Sequence, residues 1–194
     1  MTDLRGVGRE CERIFGAGIR DGVIHGAAVV GGGPDGETFS GSWGWADPEH
    51  VRPMTTRTVV DVASVTKVAA GVTAFLVAHA RGLVDFDAPF TDYLPSYASP
   101  LARTVTIRDL ANHVSGFGEA DGNPRVYFSP DPGTMLRNIL TMPSAEPSRG
   151  TAVYSCRNYV LLGQAFESAT GRRADEFCRR EIFESVGMAD TSLG

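Results

Sequence analysis

Residues 61–70 read "DVASVTKVAA" and hold Lys67, the single lysine among 18 basic residues that are otherwise all arginine. Lys67 stands three residues after Ser64, at the head of an apolar run that ends at Gly82. The run predicts a helix over 64–81, apolar nearly all round and therefore central and buried. On a helix, positions i and i+3 share a face, so Ser64 and Lys67 lie side by side. Ser64 falls in the first turn, where unpaired N–H groups and the helix dipole favour developing negative charge. A lysine desolvated on such a helix has a lowered pKa, which brings a neutral amine within reach near pH 7. A neutral amine can take the proton of a serine hydroxyl, and a guanidinium cannot. That difference is a chemical reason for a lysine at this position. Ser-x-x-Lys alone is a short pattern that chance also supplies, and a lysine on a merely amphipathic helix can snorkel to the surface.

Working outward, 194 residues suffice for one domain with a real core, and 42% hydrophobic with 21% charged residues is ordinary globular composition. A net charge of -5 argues against a nucleic-acid or anionic-membrane surface. The opening "MTDLRGVGRE" shows no basic-then-apolar leader, and the longest apolar run, 68–80, is too short to cross a bilayer. A cytoplasmic location is therefore expected. Cys11, Cys156 and Cys178 are odd in number and lack Cys-x-x-Cys spacing, which suggests neither a disulfide framework nor a zinc site. With four scattered histidines and no His-Glu-x-x-His, no metal or other cofactor is expected.

The pattern predicts a helix over 4–20, then two strands within "HGAAVVGGGPDGETFSGSWGWAD", residues 25–47. Gly31, Gly33 and Gly36 match Gly-x-Gly-x-x-Gly after the first strand. A dinucleotide site needs a helix next, and "ETFSGSWGW" is strand-like instead, so the segment reads as a hairpin. A short helix over 106–115 opens on a Thr106/Asp109 capping box and closes at Gly116. Residues 117–150, rich in proline and glycine, read as a long irregular loop of functional character, within a mostly helical and loop lobe over 83–150. Two further helices, 158–170 and 174–185, are punctuated by Gly171 and Gly187.

The second stretch with chemistry is "VYSCRNYVLLG", residues 153–163, which sets Tyr154 and Ser155 just before a helix. A tyrosine beside a cationic amine ionises more easily and can serve as general base. Taken alone, Tyr154 reads more readily as a core or surface aromatic than as a catalytic residue.

Ser64-Val65-Thr66-Lys67, "LVDFDAPFTDYLPSY", "TVTIRDLANHVSGF", "YSCRNYVLLGQAFESATGR" and "IFESVGMADTS", in that order, resemble the serine β-lactamase superfamily. The nearest flavour is the class C-like branch with its related esterases and D-stereospecific peptidases, and the resemblance runs over about residues 10–194. It implies an α/β (α+β) fold of the β-lactamase/DD-peptidase kind over 1–194, with a sheet flanked by helices and a mostly helical second lobe. It implies Ser64 as acylated nucleophile, Lys67 and Tyr154 sharing the proton traffic, and the Ser64 N–H as half of an oxyanion hole. His113 and Ser115 fall in a segment the family uses for packing and are read as structural.

Two departures from the family pattern matter. Where class C relatives carry Tyr-x-Asn, whose amide touches both the lysine and the substrate's acylamino group, this chain has Cys156. A thiol replaces that double hydrogen-bonding role poorly, which disfavours β-lactam hydrolysis and favours ester or other acyl transfer. Cys156 is assigned to the substrate-binding side, not to the nucleophile, because nothing beside it in sequence marks a low-pKa thiol. The family's third motif, a Lys/His-Thr/Ser-Gly strand, has no equivalent in residues 1–194. The chain thus resembles the N-terminal part of a longer domain, with association with another chain as a further expectation. The leading functional expectation is a serine hydrolase or acyltransferase acting on a small ester or amide. The alternatives are a β-lactamase or D-Ala-D-Ala-type peptidase, and a truncated, catalytically silent binding module.

Overall fold

The computed structural model describes residues 4–33, 36, 38–97, 102–117, 131–141 and 150–193. The chain divides into two compact units, Met1–Asp61 and Val62–Gly194.

The first unit is a helix laid on a hairpin. α1 (Leu4–Arg20) is followed by β1 (Gly26–Gly32) and β2 (Thr38–Gly44), paired antiparallel in the register Gly26↔Gly44 to Gly32↔Thr38. The ring of Phe15 on α1 meets Trp43 on β2 at 5.3 Å between centroids. Glycine is required at one end of the ladder: Gly44 adopts φ +72°, and a Cβ there would stand 2.3 Å from the His25 carbonyl oxygen. A strand, not a helix, follows Gly31 and Gly33, so the glycine-rich stretch is a hairpin, as its context predicts.

The second unit is helical among its described residues. Ser64 sits in a tight turn in which the N–H groups of Val65, Thr66 and Lys67 donate to the carbonyls of Val62, Ala63 and Ser64, each at 3.1 Å. A π-helical turn (Lys67–Val72) leads into α2 (Thr73–Ala80). Such a turn holds one residue more than an α-turn. The Thr73 hydroxyl donates to the Val68 carbonyl at 2.9 Å and so serves one of the carbonyls that the wide turn displaces. At the far end Gly82, φ +72°, closes a Schellman motif: its N–H donates to His79 O at 2.9 Å and the Leu83 N–H to Ala78 O at 3.0 Å.

The expectation that this helix is buried all round is corrected. Ala70, Ala74, Phe75 and Ala78 are buried, but Val65, Val68 and Leu76 are 61%, 66% and 54% exposed. One face alone meets the core, and apolar composition could not show which.

α3 (Ile107–Ala111) opens on the expected capping box, with the Asp109 N–H donating to Thr106 Oγ1 at 3.1 Å and the Thr106 N–H to Asp109 Oδ2 at 3.0 Å. It ends earlier than expected, because His113 turns left-handed (φ 59°) three residues before Gly116. Within the 117–150 segment lies α4 (Pro132–Thr141), where an irregular loop was expected. Pro132 takes the first helical position, and the Thr134 N–H donates to Asp131 Oδ2 at 2.9 Å. A proline there opens a helix and does not break one. The remainder of that segment lies outside the described residues.

α5 (Cys156–Thr170) stops at Gly171 in the left-handed conformation, φ 65°, and α6 (Ala174–Cys178) continues through further helical turns to Val186 and Gly187. Aromatic rings tie these helices together: Phe75 to Phe166 at 5.5 Å and Phe166 to Phe177 at 4.9 Å. The buried Cys178 thiol points at the Ala70 carbonyl, and burial pushes its pKa up to about 11.

Glu181 lies between Arg81 at 2.6 Å and Arg172 at 2.9 Å. Hydrogen bonds from Arg81 and then Arg172 hold its carboxyl down to about 2, from a usual 4.5. A lowered folded-state pKa adds stability above the unfolded value and loses it as pH falls through the folded one. Glu181→Gln should therefore lower the melting temperature at pH 7, and the two proteins should converge between pH 4.5 and about 2. Thermal unfolding across that range checks it, and a gap that persists at pH 2 contradicts it.

Candidate active site

The tight turn that begins at Val62 brings Ser64 to the surface. Ala63 just before it has φ 46°, an uncommon conformation for a residue with a Cβ, so the backbone reverses at the serine. The Ser64 Oγ lies 2.6 Å from Tyr154 Oη and accepts a hydrogen bond from Lys67 Nζ at 3.1 Å. Three side chains expected from two separate stretches thus converge on one oxygen. The Lys67 ammonium also stands 5.1 Å from the centre of the Tyr154 ring and 5.7 Å from that of Tyr159. The π turn places Lys67 at the first position of that segment, directed towards α5.

Tyr154 comes from an extended lead-in to α5. Ser155, the N-cap residue, has φ -149° and ψ 126°, and Cys156 is the first helical residue. The lead-in is pinned alongside the end of α3, with the Gly150 N–H donating to Val114 O at 3.1 Å and the Val153 N–H to His113 O at 2.8 Å. Tyr154 is 50% exposed, while Ser155, Arg157 and Asn158 beside it are buried. The hydroxyl therefore faces solvent from a rigid base.

The charge state of Lys67 differs from the sequence expectation. Burial does act to lower its pKa, and is the largest single influence. Hydrogen bonds from the amine to Tyr154 and Cys156, and the charges those groups can carry, together outweigh burial and raise the value above 10.5. Lys67 is thus a cation near neutral pH, where the buried-helix argument predicted a neutral amine. Cys156, assigned through the family pattern to the substrate-binding side at a position whose residue touches the lysine, is a hydrogen-bonding neighbour of that cation.

Two more residues border this cluster: Tyr159, which sequence reasoning did not single out, and His113, which it read as structural. Tyr159 donates its hydroxyl to the Ala111 carbonyl at 3.1 Å, and burial, more than any other influence, raises its pKa. Its ring stays a neutral wall behind Lys67. His113 lies 4.7 Å from the Tyr154 ring and 5.2 Å from that of Tyr159, ring centre to ring centre. The sequence signal for Tyr159 is its place five residues after Tyr154, one helical turn in. For His113 there is no local signal.

The family model for beta-lactamase matches residues 11–194. The chain belongs to the beta-lactamase family. Among curated members it is 32% identical to Esterase EstB of Burkholderia gladioli, over 97% of this chain and 52% of that protein. It is 29% identical to Penicillin-binding protein 4* of Bacillus subtilis, over 78% of this chain and 34% of that one. Among solved structures, D-amino acid amidase from Ochrobactrum anthropi SV3 aligns with a TM-score of 0.81 and 28% identity, over 99% of this chain and 52% of its own. The class C beta lactamase from Rhodobacter sphaeroides aligns at 0.74 with 26% identity, over 91% of this chain and 48% of that one. The chain thus spans between about a third and a half of the length of these relatives.

The fold is accordingly the β-lactamase/DD-peptidase fold, represented by a small sheet and a helix-rich part. Relatives named as an esterase and as D-aminopeptidases make the beta-lactamase family one of hydrolases.

Proposed function

We propose that this chain carries the acylating centre of a serine hydrolase whose substrate is a small ester or amide. The carrying observation is the Ser64 oxygen held by both Tyr154 Oη at 2.6 Å and Lys67 Nζ at 3.1 Å. In the reacting form Lys67 is the ammonium and Tyr154 the phenolate, so the pair holds one proton fewer than its fully protonated state. Tyr154 takes the hydroxyl proton as Ser64 Oγ bonds to the substrate carbonyl carbon. The proton then passes to the leaving alcohol or amine as its bond to carbon breaks. Water releases the acyl group by the same steps in reverse order. The Lys67 charge offsets the negative charge on the oxygens throughout.

Intact-mass measurement after incubation with a fluorophosphonate or a penicillin tests this reading. One added mass on Ser64 is expected, and its absence with both reagents contradicts the acylating role and favours a silent binding module.

A second reading, β-lactam or D-Ala-D-Ala-type peptide turnover, differs at Cys156. Its thiol can engage Lys67, as it does here, but has no amide with which to hold a substrate acylamino group. Nitrophenyl butyrate is therefore expected to acylate the protein faster than a cephalosporin. Cys156→Asn should narrow that preference by roughly tenfold, about the worth of one hydrogen bond of 1–1.5 kcal/mol. Acylation rates with both reagents decide it, and a wild-type preference for the cephalosporin restores the lactamase reading.

A further inference from the structure

His113 holds the residues on both sides of Tyr154. Its carbonyl accepts the Val153 N–H at 2.8 Å, and its Nδ1 accepts the Ser155 N–H at 3.1 Å. Its ring lies against the Tyr154 ring between them, 4.7 Å away and tilted by 36°. The left-handed backbone at His113, φ 59°, is what lets the carbonyl and the ring of one residue reach the same extended lead-in. A residue with a Cβ adopts that conformation at a cost that its surroundings must offset.

The ring is itself held in one orientation. The Ser115 hydroxyl donates to Asn158 Oδ1 at 2.9 Å and accepts the Phe117 N–H at 3.1 Å. Ser115 and Asn158 are buried. With its oxygen occupied in this way, Asn158 turns its Nδ2 towards His113 Nδ1, 3.4 Å away. Two N–H groups therefore face Nδ1, which requires a lone pair there and sets the proton of the neutral ring on Nε2.

We propose that His113 is a positioning residue for Tyr154, fixing its hydroxyl at Ser64 by gripping Val153 and Ser155 from a neutral, Nε2-protonated ring. The catalytic part of this inference rests on the acylation reading above, while the geometric part does not. Sequence reasoning assigned His113 to packing. Packing alone would need neither the acceptor at Nδ1 nor the strained backbone.

Three variants separate the contributions. His113→Gly keeps the left-handed backbone and loses ring and acceptor. His113→Phe keeps a ring and loses the acceptor. His113→Asn tolerates the backbone and restores a side-chain acceptor. Fluorophosphonate labelling of Ser64 is followed as a maximal rate and a half-saturating concentration. The Gly and Phe variants should lose about 10- to 100-fold in maximal rate at unchanged half-saturation, the effect of a misplaced group of order 1 Å, and Asn should recover most of it. Long-range proton–nitrogen NMR of the wild type should show the proton on Nε2, and the Ser155 amide should exchange faster in Gly and Phe than in Asn.

A proton on Nδ1, or wild-type labelling rates in the Gly and Phe variants, overturns the proposal. If wild-type Ser64 takes no label, the acylation reading fails. His113 is then judged by the tautomer and by Tyr154 ring shifts, which must move in the Gly variant if the proposal holds. If that variant does not fold, the wild-type tautomer and the Phe-to-Asn comparison carry the test.

Discussion

Ser64→Ala should abolish covalent labelling and reduce any ester turnover by roughly 10⁴- to 10⁶-fold, the scale seen when a serine nucleophile is removed. Its Oγ is the oxygen on which Tyr154 and Lys67 converge, and a methyl group offers neither of them a partner. The fold should not notice. Ser64 is exposed, and the turn that carries it is held by backbone bonds at Val65, Thr66 and Lys67. The change in stability should stay within about 0.5 kcal/mol, as for other surface substitutions. Peptide mapping with parallel thermal unfolding checks both halves. A label that survives the substitution, or that maps to Cys156, removes Ser64 from the role.

Tyr154→Phe should be the next largest loss, about 10²- to 10⁴-fold in acylation rate, the usual contribution of a positioned general base. The substitution deletes one oxygen and keeps the ring that lies against His113. Lys67 then serves as the comparison. Because its pKa is raised above 10.5, it is already a cation, and Lys67→Arg keeps that charge. The Arg variant should therefore acylate faster than Tyr154→Phe. In the wild type, no limb of the pH–rate profile below about 10.5 should belong to Lys67. If the Arg variant proves the more damaged of the two, the amine is the base and the assignment is reversed.

Much of this site was legible from residue order. A serine three residues before a lysine in an apolar run marked Ser64 and Lys67, whereas Tyr154 gained its role only through the resemblance to the serine β-lactamase superfamily. Glycines marked the ends of α2 and α5, and Thr106 with Asp109 marked the start of α3, because caps and left-handed turns are local signals. The charge of Lys67 was not legible: it depends on Tyr154 and Cys156, nearly ninety residues away in sequence. His113 was hidden for a similar reason, since its partners Val153 and Ser155 belong to another segment. α4 was misread because a proline at a helix start and a proline in a loop look alike until Asp131 is seen capping Thr134.

The π turn at Lys67–Val72 has a consequence that is best counted in residues. Removing one residue from it would restore ordinary α-helical closure. Because the wide turn absorbs its extra residue, Ser64 and Lys67 would keep their facing relative to Ala74, Phe75 and Ala78 through that cut. The same deletion made within α2, where no residue is spare, would instead swing them by about 100° around the helix axis. No substitution produces that rotation. Single-codon deletions along this helix should therefore find one tolerant window, the turn itself, which a library of point changes would not reveal.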